Sequence, residues 1–183
     1  MEFQKLGLDG LYLLKPAIYE DSRGYFFESY REQYLNEQNL KTTVVQDNIS
    51  SSVKGVIRGL HYQAKPAAQT KLIMVIKGKI LDIAVDIRTS SPTYKKFEAV
   101  ELDDESHHQL FIPKGFAHGF AVLSEQAIIS YKCSSYYNPS LERGIRWDDP
   151  DLNINWKIKN PVLSNQDKNL PYLKSLNSED LFN

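Results

Sequence analysis

The 183-residue chain has a single cysteine, Cys133, so no disulfide can form within it. It has no apolar run near the roughly 18 residues that a membrane span needs. Excess charge is missing too. Lys and Arg number 22 against 23 Asp and Glu, a formal net charge of −1, which leaves no electrostatic footprint for nucleic acid or a membrane surface. The opening stretch, "MEFQKLGLDG", lacks the apolar centre of a signal peptide. No internal repeat, low-complexity tract or linker divides the chain. These absences predict one soluble, cytoplasmic domain over residues 1–183, and 42% apolar residues are enough for its core.

What is present is strand sequence. "KILDIAVDI" alternates, with Leu81, Ile83, Val85 and Ile87 on one face and Asp82, Ala84 and Asp86 on the other. "TTVVQDNISSS", "TKLIMVIKG", "KFEAVEL", "QLFIPKG", "HGFAVLS" and "AIISYKCSSYY" are further short runs rich in β-branched and aromatic residues. Turn signals such as "EDSRG", "IKGK", "RTSSPT" and "YNPS" separate them. The spacing predicts an all-β sandwich or closed jelly roll. Helix is expected only over 30–39 and, briefly, within "LKSLNSEDLF". The strand sequence near the start, "FQKLGLDGLYLLKP", is in excess and could add to a partner's sheet.

Histidine is scarce, and two of the four carry the interest. "GVIRGLHYQ" packs Arg58, His61 and Gln63 onto a mostly apolar frame, and "IPKGFAHGF" brings His118. This order resembles the cupin jelly roll, in which a His-rich strand precedes a strand with an acidic ligand and then P-x-G-x-x-H. A metal-binding cupin needs a second histidine two residues after the first, where this chain has Gln63. It also needs a carboxylate on the next strand, where this chain offers Gln69 and Lys71. A protonated lysine repels a divalent cation and has no lone pair to give. His61 and His118 alone are too few for a four-coordinate site.

The other possibility is an acid–base site for an anionic ligand, with Arg58, His61, Lys71 and His118 around a carbonyl. A lone histidine is more often a satisfied core residue. Two histidines, an arginine and a lysine on neighbouring strands are hard to bury without a ligand, because each charge needs a partner. Asp21 and Arg23 suit a turn ion pair, and Glu28 is expected on the strand behind Tyr25, Phe26 and Phe27. Gln46 and Asn48 share a strand face, where their amides could read a base edge. His107 and His108 read as loop decoration, and Cys133, on the face of Tyr131, as a buried inert thiol.

Taken together, "DSRGYFFES", "QDNISSSVKGVIRGLHYQ", "KLIMVIKGKILDIAVDIRTSSPTY", "IPKGFAHGFAVLS", "YKCSSYYNPSLERGIRWDDP" and "PVLSNQD" resemble the dTDP-4-dehydrorhamnose 3,5-epimerase family over nearly the whole chain. The resemblance implies a cupin-type double-stranded β-helix, all-β with a few short helices, that uses no metal and no cofactor. It implies a dTDP-sugar substrate and a homodimer. His61 would be the general base, oriented by Asp167, and Tyr131 the general acid on the opposite face of the ring. Lys71 would stabilise the enolate oxygen, with Asp82 behind it. Arg23, Phe26, Glu28, Gln46, Asp47, Asn48, Arg58, His118, Glu142 and Lys168 would line the nucleotide-sugar site, and Tyr137 would contact its nucleotide end. In one departure, Gln166 stands where the family often has a lysine, with Lys168 two positions on. A single-centre epimerase, a 3,4-ketoisomerase and a non-catalytic nucleotide-sugar sensor are the rival functions. The "RGLHYQ" and "YKC" forms fit the ketoisomerase poorly.

Overall fold

The computed structural model describes residues 1–183. Its thirteen strands are β1 (Glu2–Lys5), β2 (Tyr12–Lys15), β3 (Tyr19–Asp21), β4 (Gly24–Phe26), β5 (Gln46–Val53), β6 (Ile57–Gln63), β7 (Lys71–Lys77), β8 (Lys79–Asp86), β9 (Phe97–Asp103), β10 (Gln109–Ile112), β11 (Phe116–Val122), β12 (Gln126–Cys133) and β13 (Glu142–Gly144). Two short helices, α1 (Glu32–Glu37) and α2 (Asn165–Lys168), accompany them. Helix α1 falls inside the expected 30–39. "LKSLNSEDLF" yields two single 3₁₀ turns, Leu173–Ser175 and Ser178–Asp180.

The strands form a six-stranded sheet, β1-β2-β10-β7-β12-β5, and a five-stranded sheet, β13-β6-β11-β8-β9, both antiparallel. Hairpin β3–β4 stands apart as a third, two-stranded sheet. The two large sheets face one another. Ile73, Val75, Leu110, Ile112 and Ile129 of one pack with Ile80, Leu102, Phe116, Phe120 and Val122 of the other in a single cluster. This is the jelly-roll sandwich that the strand spacing predicts. The N-terminal strands join the six-stranded sheet of their own chain, with β1 as its edge. β2 pairs with β10 of its own chain, and β1 with β2.

Strand β8 explains the clean alternation of "KILDIAVDI". Ile80 and Ala84 face the inter-sheet core, while Leu81, Ile83, Val85 and Ile87 face outward into a second cluster. That cluster is closed by Ile145, Leu152, Trp156, Leu173 and Phe182 from the C-terminal segment, so both faces of β8 are buried. Asp86 is fully buried at the strand's end and accepts hydrogen bonds from Arg88, Ser91 and Thr93. Burial pushes its carboxyl up, but those donors outweigh burial and hold it at about 2.

One irregularity positions the site. Residues Arg58 and His61 are three apart and would point to opposite faces of a regular strand. The register of β6 against β11 shifts between the pairs His118–His61 and Phe120–Arg58, and this shift lets both side chains line the same lobe of the interior. Gly59 makes it possible. Its φ is +114°, and a Cβ there would lie 2.7 Å from both the Gly119 Cα and the His118 carbonyl oxygen. Gly59→Ala is therefore expected to destabilise the protein by about 2–4 kcal/mol, the sum of backbone strain and overpacking. Urea unfolding of the variant beside the wild type measures this.

Candidate active site

The inner faces of the two sheets enclose a cavity of two adjoining lobes, about 330 Å³ and about 260 Å³, and both are lined by His61, Lys71 and Tyr131. The six-stranded sheet contributes a polar grid. Cys133 lies between Lys71 and Gln46, and Tyr131 between Ile73 and Asn48. Across the cavity, the five-stranded sheet presents His61 directly opposite His118 on β6 and β11, and Gln63 opposite Glu142 on β6 and β13. His61 and Tyr131 thus face each other from opposite sheets.

His61 Nε2 lies 2.6 Å from Asp167 Oδ1, across 106 residues of sequence. Asp167 is buried on α2, and Ser164 caps that helix. The Ser164 hydroxyl accepts from the Asp167 backbone N–H and donates to Asp167 Oδ2 at 2.8 Å. Burial pushes the Asp167 carboxyl up. The His61 hydrogen bond and charge, with donors from Ser164 and the Gly59 backbone, win and hold it below the usual range. A carboxylate locked this way fixes the imidazole's tautomer and orientation and leaves Nδ1 free of protein partners.

Lys71 makes no ion pair and no hydrogen bond within the protein. Burial pushes its ammonium below the ordinary lysine value, while Cys133, Asp82 and Glu142 pull it back only in part. An unpaired cation in a polar cavity is a preformed partner for negative charge on a ligand. His118 Nε2 sits 3.0 Å from both carboxylate oxygens of Asp82, and both residues are buried. Asp82 was expected behind Lys71; its hydrogen-bonded partner is His118. Burial raises the Tyr131 phenol, more than the nearby Arg58 lowers it, so the phenol keeps its proton through the neutral range.

The first lobe is edged by amides and a carboxylate. Gln46 donates to Asn48 and accepts from the Tyr137 backbone N–H. Tyr137 and Gln166 both donate to Glu142 Oε2, at 2.9 and 3.1 Å. Arg58 donates to Ser52 at 3.0 Å and lines the second lobe. Burial pushes the Cys133 thiol up, as an inert buried cysteine requires. The donors in hand do not converge on a metal. The Nε2 atoms of His61 and His118 are held by different aspartates, and Lys71 stands among them.

The comparisons with known proteins agree on one family. A family model described as dTDP-4-dehydrorhamnose 3,5-epimerase matches residues 5–175. The chain belongs to the dTDP-4-dehydrorhamnose 3,5-epimerase family.

Among its members, the enzyme of Methanothermobacter thermautotrophicus is 46% identical over 170 residues, 91% of each chain. The crystal structure of the Legionella pneumophila dTDP-6-deoxy-D-glucose-3,5-epimerase, in complex with dTDP-4-keto-L-rhamnose, superposes with a TM-score of 0.96 at 43% identity. The match covers 99% of this chain and 97% of that one. A dTDP-4-dehydrorhamnose 3-epimerase of Streptomyces niveus stands further off, at 34% over 169 residues, 92% of this chain and 82% of its own.

Seen against the family's expected site residues, the cavity gathers His61, Asp167, Lys71, Tyr131, Gln46, Asn48, Arg58, His118, Tyr137 and Glu142. Five others lie elsewhere. Arg23 and Phe26 sit on hairpin β3–β4, exposed, with Arg23 paired to Asp21 at 2.5 Å. Glu28 lies beyond β4 in irregular chain, not on a strand, and is bound to Arg31 and Tyr34. Asp47 points to the outer face of β5, where it pairs with Lys132 and Ser130, because it alternates with Gln46 and Asn48. Lys168 is exposed and lines neither lobe; Gln166 does, on the opposite side of Asp167 in α2. His107 is not loop decoration. It is 5% exposed, at φ +52°, with its ring 4.6 Å from both Tyr25 and Phe27. Ser164, which secures the Asp167 carboxylate, was missed; its place as a serine three residues before Asp167, at the N-cap of α2, is the signal that could have found it.

The half-buried, unpaired Lys71 carries a stability prediction. Its folded pKa is lowered, so the unfolded chain binds the extra proton and Lys71 costs stability at all pH below its folded pKa. Lys71→Met is expected to stabilise the ligand-free protein by about 0.5–2 kcal/mol at neutral pH, at the expense of activity. The gain should shrink as pH rises through the lowered pKa toward the ordinary lysine value. Denaturant unfolding of both proteins from pH 7 to pH 10.5 reads it.

Proposed function

We propose that the chain converts dTDP-4-dehydro-6-deoxy-D-glucose to dTDP-4-dehydro-L-rhamnose by inverting C3 and C5. The observation that carries this is one cavity in which the Asp167-held His61 on one sheet faces Tyr131 and the unpaired Lys71 on the other. Carbons 3 and 5 both flank the 4-keto group, so loss of either proton gives an enolate on the same oxygen. His61 takes the proton and Lys71 holds the charge on that oxygen, an effect worth several kcal/mol in comparable sites. Tyr131 returns a proton to the far face, and the configuration inverts. One base, one oxyanion partner and one acid serve both centres.

The deciding experiment is proton NMR of the reaction in deuterated water. Deuterium at both C3 and C5 of the product is expected. Label at one carbon would make the chain a single-centre epimerase, the activity that names the 34% identical relative. Unlabelled, unchanged sugar would leave only a nucleotide-sugar sensor.

The reaction as drawn needs no metal, since Lys71 occupies the place of a ligand and supplies the positive charge. Turnover is expected to survive exhaustive dialysis against EDTA. Loss on chelation, restored by a divalent ion, would refute this.

A homodimer in the cytoplasm, serving dTDP-L-rhamnose biosynthesis for a cell-surface polysaccharide, completes the proposal, with residues 1–183 acting as one domain. The placement of Arg23 and Phe26 supports the dimer. They project from an exposed hairpin away from their own chain's cavity, so a role at a nucleotide-sugar site requires the cavity of a second copy.

A further inference from the structure

The buried Ser50 Oγ lacks any hydrogen-bond partner. Ser50 lines the second lobe with Arg58, His61, Lys71 and Tyr131. It continues the inner row of β5 begun by Gln46 and Asn48, and it pairs with Ile129 of β12. The adjacent serines are engaged. Ser52 accepts from Arg58, and Ser51 accepts from Gln126. Ser50 lines the lobe together with the apolar Ile129 and Phe120, and its Oγ has no partner. A buried hydroxyl without a partner is costly, and nothing in the strand pairing needs it.

Resting on the epimerase function proposed above, we infer that Ser50 is a substrate-binding residue. Its hydroxyl bonds an oxygen of the keto-sugar ring beside the reacting carbons and so biases which of the two α-carbons meets His61. A serine hydroxyl both donates and accepts, and it rotates freely. It can therefore follow a ring whose C3 hydroxyl changes face on inversion, as a fixed backbone group cannot. Ser50 transfers no proton in the reaction; it holds the ring while His61 and Tyr131 do so.

The test uses Ser50→Ala, which removes one oxygen from the wall, with dTDP-4-dehydro-6-deoxy-D-glucose in deuterated water. The kcat/KM is expected to fall about tenfold, the effect of one lost hydrogen bond. The ratio of deuterium at C3 to that at C5 shifts in the same sample. The melting temperature stays level or rises, because an unpaired polar group has gone. Ser50→Thr, which keeps the hydroxyl, retains the wild-type ratio. An unchanged kcat/KM and ratio in Ser50→Ala would overturn the proposal. A lowered melting temperature with activity restored only alongside stability in Ser50→Thr would overturn it too, as a structural hydroxyl. A wild-type protein that leaves the sugar unlabelled would instead remove the epimerase function, and the Ser50 contact with it.

Discussion

His61→Ala is expected to cut turnover by about 10²–10⁴-fold while leaving the affinity for the nucleotide sugar within about tenfold. The imidazole is the one group in the cavity whose geometry suits proton removal. Nε2 is tied to Asp167 at 2.6 Å, and Nδ1 is free of protein partners. Its action is confined to the transition state, so ground-state binding loses little. Deuterium exchange at C3 and at C5 should vanish together, because one base serves both. Asp167→Asn should fall between wild type and His61→Ala. The imidazole remains, but an amide cannot enforce its tautomer or stabilise its charged form. Steady-state kinetics and calorimetric titration of the product on the same preparations separate the two effects. Near-native turnover in His61→Ala would remove His61 as the base, whereas exchange surviving at one carbon alone would require a second base.

How far these roles were legible before the fold depends on the kind of interaction each one uses. Parity along a strand is local, so the faces of "KILDIAVDI" and the shared face of Gln46 and Asn48 could be read directly. Parity fails wherever the ladder slips. Strand parity in "IRGLH" puts Arg58 and His61 on opposite faces; only their chemistry groups them in one site, and the slip that allows it comes from the approach of β6 to Gly119 across the sheet. Non-local pairs were beyond periodicity as well. Asp167 reached His61 only through the family motif, and Asp82 acts on Lys71 through its charge while its hydrogen bond goes to His118, because β8 and β11 are neighbours. His107 was misjudged for a related reason. Its acidic-turn context reads as solvent, but hairpin β3–β4 leads into Phe27, and Tyr25 and Phe27 close over the ring. The covering of β8's outer face was equally hidden. Ile145, Leu152, Trp156 and Phe182 are scattered apolar residues on irregular chain, with no period to detect.

Tyr131→Phe is expected to separate two steps that every other substitution here moves together. Proton removal by His61 needs no phenol; delivery to the opposite face does. The substitution keeps the ring packed between Ile73 and Asn48 on neighbouring strands and deletes only the donor. Burial holds the wild-type phenol protonated, so under neutral conditions the missing group is an acid and not a base. The variant should still exchange solvent deuterium into the substrate at one carbon or more, because His61 trades the proton it took for a solvent deuteron and returns that deuteron to the same face. Net epimerisation should fall by at least about tenfold, the low side of a general-acid contribution. Deuterium content and product stereochemistry must be followed in one sample, because only their divergence carries the inference. If exchange and inversion fall by the same factor, Tyr131 helps to form the enolate or to hold the sugar, and the separate acid has to be abandoned. If neither falls, the phenol only packs, and the proton arriving from the six-stranded sheet must come through water or another group on that face.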